Sequence, residues 1–92
     1  YRFFRTRQNL MFYVYILYSK FYNLYYKGFT TDISKRLEYH NSGKSIYTSK
    51  TDDWELVYCD KFETKREALI EEKRLKKLNK ASIEKIISNY MP

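Results

Sequence analysis

Apolar and polar positions change period along this chain, and the changes mark its elements. Phe12 to Tyr18 and Leu24 to Phe29 are almost entirely β-branched, aromatic or aliphatic. Such residues suit a pleated surface, so both stretches read as strands. Ser19, Lys20, Phe21, Tyr22 and Asn23 break the run as a turn. A turn centred on Lys20 and Phe21 places Tyr15 opposite Tyr26 and Tyr13 opposite Gly28, and partners on an antiparallel pair share a face. Thr30-Thr31-Asp32 then offers N-cap side chains, and the period turns helical from Ile33 to about His40. Ile33, Arg36, Leu37 and His40 form one stripe, and Asn41-Ser42-Gly43 ends the helix. Ile33 and Leu37 face the core, so Arg36 and His40 lie along or beside that inward stripe. A guanidinium there needs a partner, because an unpaired buried charge is costly. Lys35 and Glu38 hold ordinary surface positions.

Lys44 to Asp53 is polar and reads as an exposed loop. Trp54 to Phe62 alternates Leu56, Tyr58, Asp60 and Phe62 against Val57 and Cys59, as a third strand. Thr64 and Glu67 fit a capping box, opening a helix that runs to about Leu78. Its inner side is Ala68, Leu75 and Leu78, with Leu69 at one edge. Glu72 falls between Ala68 and Leu69, and Glu71 between Leu75 and Leu78, so helix phase alone does not choose between these carboxylates. Lys73, Arg74 and Lys77 point outward. Ser82, Ile83, Ile86, Ile87 and Tyr90 give a last short helix. The order β-β-α-β-α-α predicts an α+β domain: a small three-stranded antiparallel sheet flanked by helices.

Composition narrows the function classes. The 92 residues form one domain with a modest core, and 32% charged against 43% hydrophobic residues implies a folded, soluble chain. No apolar run approaches bilayer length. The start, Tyr1 to Leu10, is basic without a long apolar centre and is not a secretory signal. Met11 stands just before the first strand, so residues 1–11 read as an upstream extension or a cloning remnant, and residues 12–92 as the domain. A single Cys59 excludes an internal disulfide and a cysteine zinc site, which fits a cytoplasmic protein. One His40 argues against a histidine metal cluster. The net charge of +7 points to an anionic partner, nucleic acid before a membrane surface.

The polar groups turned inward are Tyr15, Tyr26, Arg36, His40 and Glu72. With one histidine and no nucleophile elbow, no Ser-His-Asp arrangement exists. With only Gly28 and Gly43, there is no glycine-rich phosphate loop. A Glu holds a hard cation such as Mg²⁺ through oxygen, and an Arg clamps phosphate bidentately. A Tyr near a cation and an Arg is acidified enough to help take a proton from water. Together these suit phosphodiester hydrolysis. The bland reading is a Tyr-rich hairpin that only packs, since eleven tyrosines are present. His40 has a plain alternative as a C-terminal cation on its helix.

The order of these residues resembles the GIY-YIG nucleases, named for two tripeptides on a β-hairpin. Here the tripeptides are Tyr13-Val14-Tyr15 and Tyr26-Lys27-Gly28. The family's Arg on the following helix matches Arg36, and its His one turn later matches His40. Its metal-binding Glu, in Ala-x-x-x-Glu-Lys, matches Glu72 within Ala68 to Lys73. A polar residue near the end, often Asn, matches Asn89. The resemblance covers about residues 12–90 and is closest to small single-domain bacterial members similar to the N-terminal nuclease domain of the bacterial excinuclease. Tyr13 replaces the first Gly of the name and Lys27 the Ile of the second tripeptide; neither change removes a group the chemistry needs.

What the resemblance implies is one-metal hydrolysis of DNA, leaving a 5′-phosphate and a 3′-hydroxyl, with DNA repair as the setting. Glu72 would hold Mg²⁺ or Mn²⁺. Tyr15 would act as general base or orient the water, Tyr26 would hydrogen-bond the phosphate or the water, Arg36 would stabilise phosphoryl charge, and His40 would assist. Gly28 reads as the gap that lets a DNA strand approach, and Lys27 as a DNA contact or a solvated residue. Tyr47, Thr48 and Lys50 read as groove-lining, against the plainer alternative of a solvated loop. The substrate stays open: little sequence specificity, a branched or damaged DNA structure, or a protein partner that supplies specificity. The competing reading is a nucleic-acid-binding module with weak or lost cleavage. A base-stacking RNA-binding sheet is disfavoured by three strands and no Lys/Arg-Gly-Phe-like strand motif.

Overall fold

The computed structural model describes residues 10–90. Apart from its last two residues, the expected N-terminal extension lies outside the described residues. The elements follow the expected order: β1 (Phe12–Ser19), β2 (Leu24–Thr30), α1 (Ile33–Asn41), β3 (Trp54–Phe62), α2 (Lys65–Lys76) and α3 (Lys80–Ser88). The three strands make one antiparallel sheet in the order β2-β1-β3. The fold is the α+β arrangement that the pattern predicts. No helix among the described residues is long and apolar enough to cross a membrane.

β1 is the central strand, and both its faces are covered, so Val14, Tyr15, Ile16 and Leu17 are buried in succession. A strand covered on both faces reads as an unbroken apolar run, as this one does. Val14 and Ile16 pack with Ala68 and Leu75 of α2 and Ile83 of α3, with Tyr58, Phe62, Ile86 and Ile87 around them. Tyr15 and Leu17 face the other way, onto Trp54, Tyr26 and the Ile33 and Leu37 side of α1. One face of the sheet is therefore core. The other carries the polar groups.

The helices begin where their caps dictate. Asp32 accepts the Lys35 N–H at 3.1 Å, Thr64 the Glu67 N–H at 3.2 Å and Asn79 the Ser82 N–H at 2.9 Å. Leu69, expected at an edge of the inner side of α2, is instead exposed. α3 starts at Lys80, ahead of the expected Ser82, because Asn79 is the cap.

Two expectations about register are corrected. Tyr15 pairs with Gly28, Tyr13 with Thr30 and Leu17 with Tyr26, two residues away from the expected pairing. The turn is longer than a tight one centred on Lys20 and Phe21. Asn23 closes it in the left-handed region (φ 54°), and Ser19 Oγ accepts the Tyr22 N–H at 3.2 Å. Asp53 holds it from outside, accepting from Ser19 Oγ at 2.7 Å and the Phe21 N–H at 2.9 Å. A two-residue shift preserves which face each side chain takes, so Tyr15 and Tyr26 still share one.

The second correction concerns β3. Ile16 pairs with Tyr58 but Leu17 with Leu56, leaving Val57 as the extra residue of a β-bulge. The simple alternation fails there. Val57 packs with Tyr58 and Phe62 in the core, and Trp54 moves to the Tyr15 face.

Candidate active site

The site forms on the Tyr15 face of the sheet. β1 presents Tyr15, β2 presents Tyr26, and α1 presents Arg36 and His40 one turn apart. Asp32 fixes the start of α1 and hence its rotational phase, which turns Arg36 and His40 inward. The rings of Tyr15 and Tyr26 lie 6.4 Å apart, and that of His40 lies 4.7 Å from Tyr26 and 6.0 Å from Tyr15. The Arg36 guanidinium is half-buried and stacks 4.8 Å over Tyr39, a geometry open to arginine's planar cation.

The cluster is held by hydrogen bonds at its base. Tyr15 Oη is 2.9 Å from His40 Nε2, and His40 Nδ1 is 2.7 Å from Thr48 Oγ1. Tyr15, His40 and Thr48 are 2%, 1% and 0% exposed. The segment from Lys44 to Asp53 is therefore not the wholly exposed loop its composition predicts. The Thr48 carbonyl accepts the Trp54 Nε1–H at 2.9 Å. Asn41, next to His40, brackets the backbone of Trp54: its Nδ2 donates to the carbonyl at 3.0 Å and its Oδ1 accepts the N–H at 2.9 Å. The polar loop is folded inward because its hydroxyl and backbone groups find partners there.

The charge of Glu72, on α2, acts on the same Tyr15 phenol. Burial pushes the Tyr15 phenol well above its usual range; the charges of Tyr26 and Glu72 add to the rise, while the charge of Arg36 opposes it. His40 is lowered, first by burial and then by Arg36, so the imidazole is neutral at pH 7. Glu71, one position earlier on α2, is engaged elsewhere. Arg74 grips it in a fork at 2.9 and 2.7 Å, and its charge acts on Tyr58. Of the two carboxylates, Glu72 is the one whose field reaches Tyr15. Its side chain is 18% exposed and lies 3.3 Å from Lys76 Nζ.

The remaining expected residues divide. Lys27 and Tyr47 border one cleft with Tyr25, Tyr26 and Lys76, and Tyr47 is 77% exposed. Thr48, expected on a groove wall, is instead buried beneath His40. Lys50 lies over the Tyr22 ring, 5.1 Å from its centroid, at the β1–β2 turn. Asn89 is the C-cap of α3, its N–H reaching the carbonyls of Lys85, Ile86 and Ile87. Gly28, expected as a gap for DNA, is taken up from inside the protein: a Cβ there would strike the Tyr15 phenol oxygen, with Tyr15 Cζ at 2.5 Å. Sequence reasoning missed the structural parts of Asn41 and Trp54. The turn signal of Asn41-Ser42-Gly43 hid the first.

Comparison with known proteins finds relatives of the whole domain. A family model described as the GIY-YIG catalytic domain matches residues 11–86. A UPF0213 protein of Bacillus velezensis is 42% identical over 66 residues, covering 71% of this chain and 67% of that protein. The UPF0213 protein YazA of Bacillus subtilis is 42% identical over 59 residues, 63% of this chain and 60% of YazA. A UPF0213 protein of Bacillus pumilus is matched over 53% of its length, so the chain spans about half to two thirds of these relatives. Among solved structures, the solution structure of the UPF0213 protein BH0048 from Bacillus halodurans is similar with a TM-score of 0.57 and 36% identity, over 86% of this chain and 84% of that one.

Proposed function

Because the chain belongs to the GIY-YIG catalytic-domain family, we propose that it is a metal-dependent endonuclease that hydrolyses phosphodiester bonds in DNA. One observation carries the reading: a single buried phenol, Tyr15, lies under the combined influence of Tyr26, Arg36 and Glu72 and is hydrogen-bonded to a neutral His40. Packing alone does not gather these groups, because an aromatic core needs neither the guanidinium nor the carboxylate.

The donor set tests which cation fits. Among the described residues no group of three or more His, Cys, Asp or Glu side chains could hold an ion. Glu72 offers one partly exposed carboxylate, which fits a hard cation that keeps most of its waters and takes further oxygens from the substrate phosphate. Glu72 would hold Mg²⁺ or Mn²⁺, which when bound would supply Lewis-acid polarisation of the scissile phosphate. Arg36 stabilises charge that develops on the phosphoryl oxygens. Tyr26 hydrogen-bonds the phosphate. Tyr15 orients the attacking water and receives its proton. Lys27, Tyr47 and Lys76 flank the strand on the cleft side. The products are a 5′-phosphate and a 3′-hydroxyl.

A cleavage panel tests the reading, with single-stranded, duplex, branched and damaged DNA, and RNA, in Mg²⁺ and in Mn²⁺. Cleavage of DNA by the native chain is expected. Glu72→Ala should abolish it while leaving DNA binding nearly intact, and Arg36→Ala should cut the rate by at least ~100-fold, the scale of one lost oxyanion donor. Binding without cleavage in every metal would replace the nuclease reading with that of a nucleic-acid-binding module.

A further inference from the structure

Tyr15, His40 and Thr48 make an unbroken buried line of two contacts, 2.9 and 2.7 Å long. A neutral imidazole carries one N–H, and each hydroxyl carries one hydrogen. Three hydrogens thus serve two contacts, and one hydroxyl hydrogen is left over. Two arrangements exist. With the proton on Nδ1, the imidazole donates to Thr48 and its bare Nε2 accepts from Tyr15. With the proton on Nε2, Thr48 donates to Nδ1 and Tyr15 accepts.

Acidity decides between them. A phenol is a better donor than an aliphatic alcohol and a poorer acceptor, so Tyr15 donates and Thr48 accepts. Arg36 points the same way. Its positive charge acts on the Tyr15 oxygen and lowers the phenol, which makes Tyr15 the readier donor of the two hydroxyls. Tyr15 then donates to His40, and the imidazole donates to Thr48. Either arrangement leaves one hydroxyl hydrogen over, that of Thr48 in the first and that of Tyr15 in the second, so the difference in donor strength decides.

Resting on the nuclease reading for its last step, we propose that Thr48 is a positioning residue: by accepting the Nδ1–H it holds His40 in the tautomer whose bare Nε2 faces Tyr15, so that Tyr15 passes the proton of the attacking water on to His40. The water oxygen forms the new bond to phosphorus, and its proton moves to Tyr15 Oη. The phenol's own proton moves to His40 Nε2. The P–O3′ bond breaks, and the 3′ oxygen takes a proton from solvent water. His40 later returns its proton to solvent.

Tyr15 never becomes a free phenolate in this sequence, which matters because burial disfavours that anion. The groups facing His40 are Tyr15 from β1, Tyr26 from β2, and Arg36 and Tyr39 from α1 itself, with Glu72 of α2 acting on Tyr15. Arg36 opposes a charge on the imidazole, so the imidazolium is transient. The position of Thr48 is independently fixed: its carbonyl is held by Trp54 and its N–H reaches the Ser45 carbonyl at 3.3 Å.

The test reads the tautomer and the chemistry separately. The ¹⁵N shifts of the His40 ring, measured on the full chain without metal, should show Nδ1 protonated and Nε2 bare. Thr48→Ser should keep that state, and Thr48→Val, close to isosteric, should lose it. In cleavage assays Thr48→Val should lower kcat at least ~10-fold, toward the range that a positioned acid–base group contributes. KM should change less than kcat, the acid limb of the pH profile should move, and Thr48→Ser should restore all three. A protonated Nε2 in the native chain, or a tautomer unmoved in Thr48→Val, overturns the proposal while leaving the nuclease reading standing. Native kcat and pH profile in Thr48→Val overturn the relay. Failure of the native chain to cleave anything removes the nuclease premise and the relay with it, and the ring shifts then decide the positioning role alone.

Discussion

Gly28→Ala isolates the closest approach in the site. Tyr15 Cζ stands 2.5 Å and Cε1 3.0 Å from where the new methyl would lie. Carbon atoms make optimal contact at about 3.5–4.0 Å, so the ring must retreat by roughly 1 Å. It cannot do so freely. The ring is wedged against Leu17 and Trp54, and its hydroxyl is held by His40 at 2.9 Å. Overpacking of this kind costs about 1–3 kcal/mol. Stretching the hydrogen bond past its limit costs about 1 kcal/mol more. Reduced freedom of the unfolded chain returns about 0.4–1 kcal/mol. The balance is a loss of about 1–3 kcal/mol, which for a chain of this size lowers the melting temperature by roughly 5–20 °C. Thermal melts followed by circular dichroism should be run on Gly28→Ala, Tyr15→Leu and the double variant. With the ring gone, Gly28→Ala should be neutral or slightly stabilising, giving a coupling of about 1–4 kcal/mol. Equal destabilisation in both backgrounds would refute the clash as the cause.

Three further outcomes follow from the geometry. Ser19, Phe21 and Thr51 all donate to Asp53 and hold its pKa low, the Phe21 N–H first. A lowered carboxylate adds stability above its ordinary value of about 3.9, and this is lost as pH falls through the lowered value. The native melting temperature should therefore drop below about pH 4 by more than that of Asp53→Asn, compared in paired melts. Asn41→Ala removes both bonds to the Trp54 backbone and should lower stability by about 1–3 kcal/mol in urea titrations, with little change in the slope. Arg74→Ala breaks an ion pair whose arginine is 54% exposed, and the same titration should move by less than ~1 kcal/mol.

Much of the fold is legible because one periodicity governs each segment. The strand runs, the Asp32 and Thr64 caps and the stripe of Ile33, Arg36, Leu37 and His40 each predict their element to within one or two residues. What sequence does not carry is pairing. The β1–β2 register depends on Asn23 adopting a left-handed backbone and on Asp53, thirty-two residues from Phe21, gripping the turn. The Val57 bulge leaves no local trace, since Val and Leu suit either face. Composition misleads most over Lys44 to Asp53. A polar loop is expected to be solvated, yet Thr48 is buried because it has a specific partner in His40. The same reasoning assigned Gly28 to the substrate side, whereas the register shift sets it against Tyr15.

The bulge explains how a three-stranded sheet supports a polar cluster this close to its core. Were β3 regular, Trp54 would lie on the face of Tyr58 and Phe62, among the apolar residues of α2 and α3. The extra residue at Val57 reverses that and brings the indole to the Tyr15 face. There its N–H holds the Thr48 carbonyl, Thr48 holds His40, and His40 holds Tyr15. Asn41 closes the loop by tying the end of α1 to the start of β3. Each group is therefore fixed by a neighbour from a different segment, and no single helix or strand sets the geometry alone. Arg36 and Glu72 stand outside this chain of contacts. Both are partly exposed, Arg36 on α1 and Glu72 on α2. The proposed nuclease chemistry needs this division, with its acid–base groups buried and fixed and its charged groups partly open to solvent.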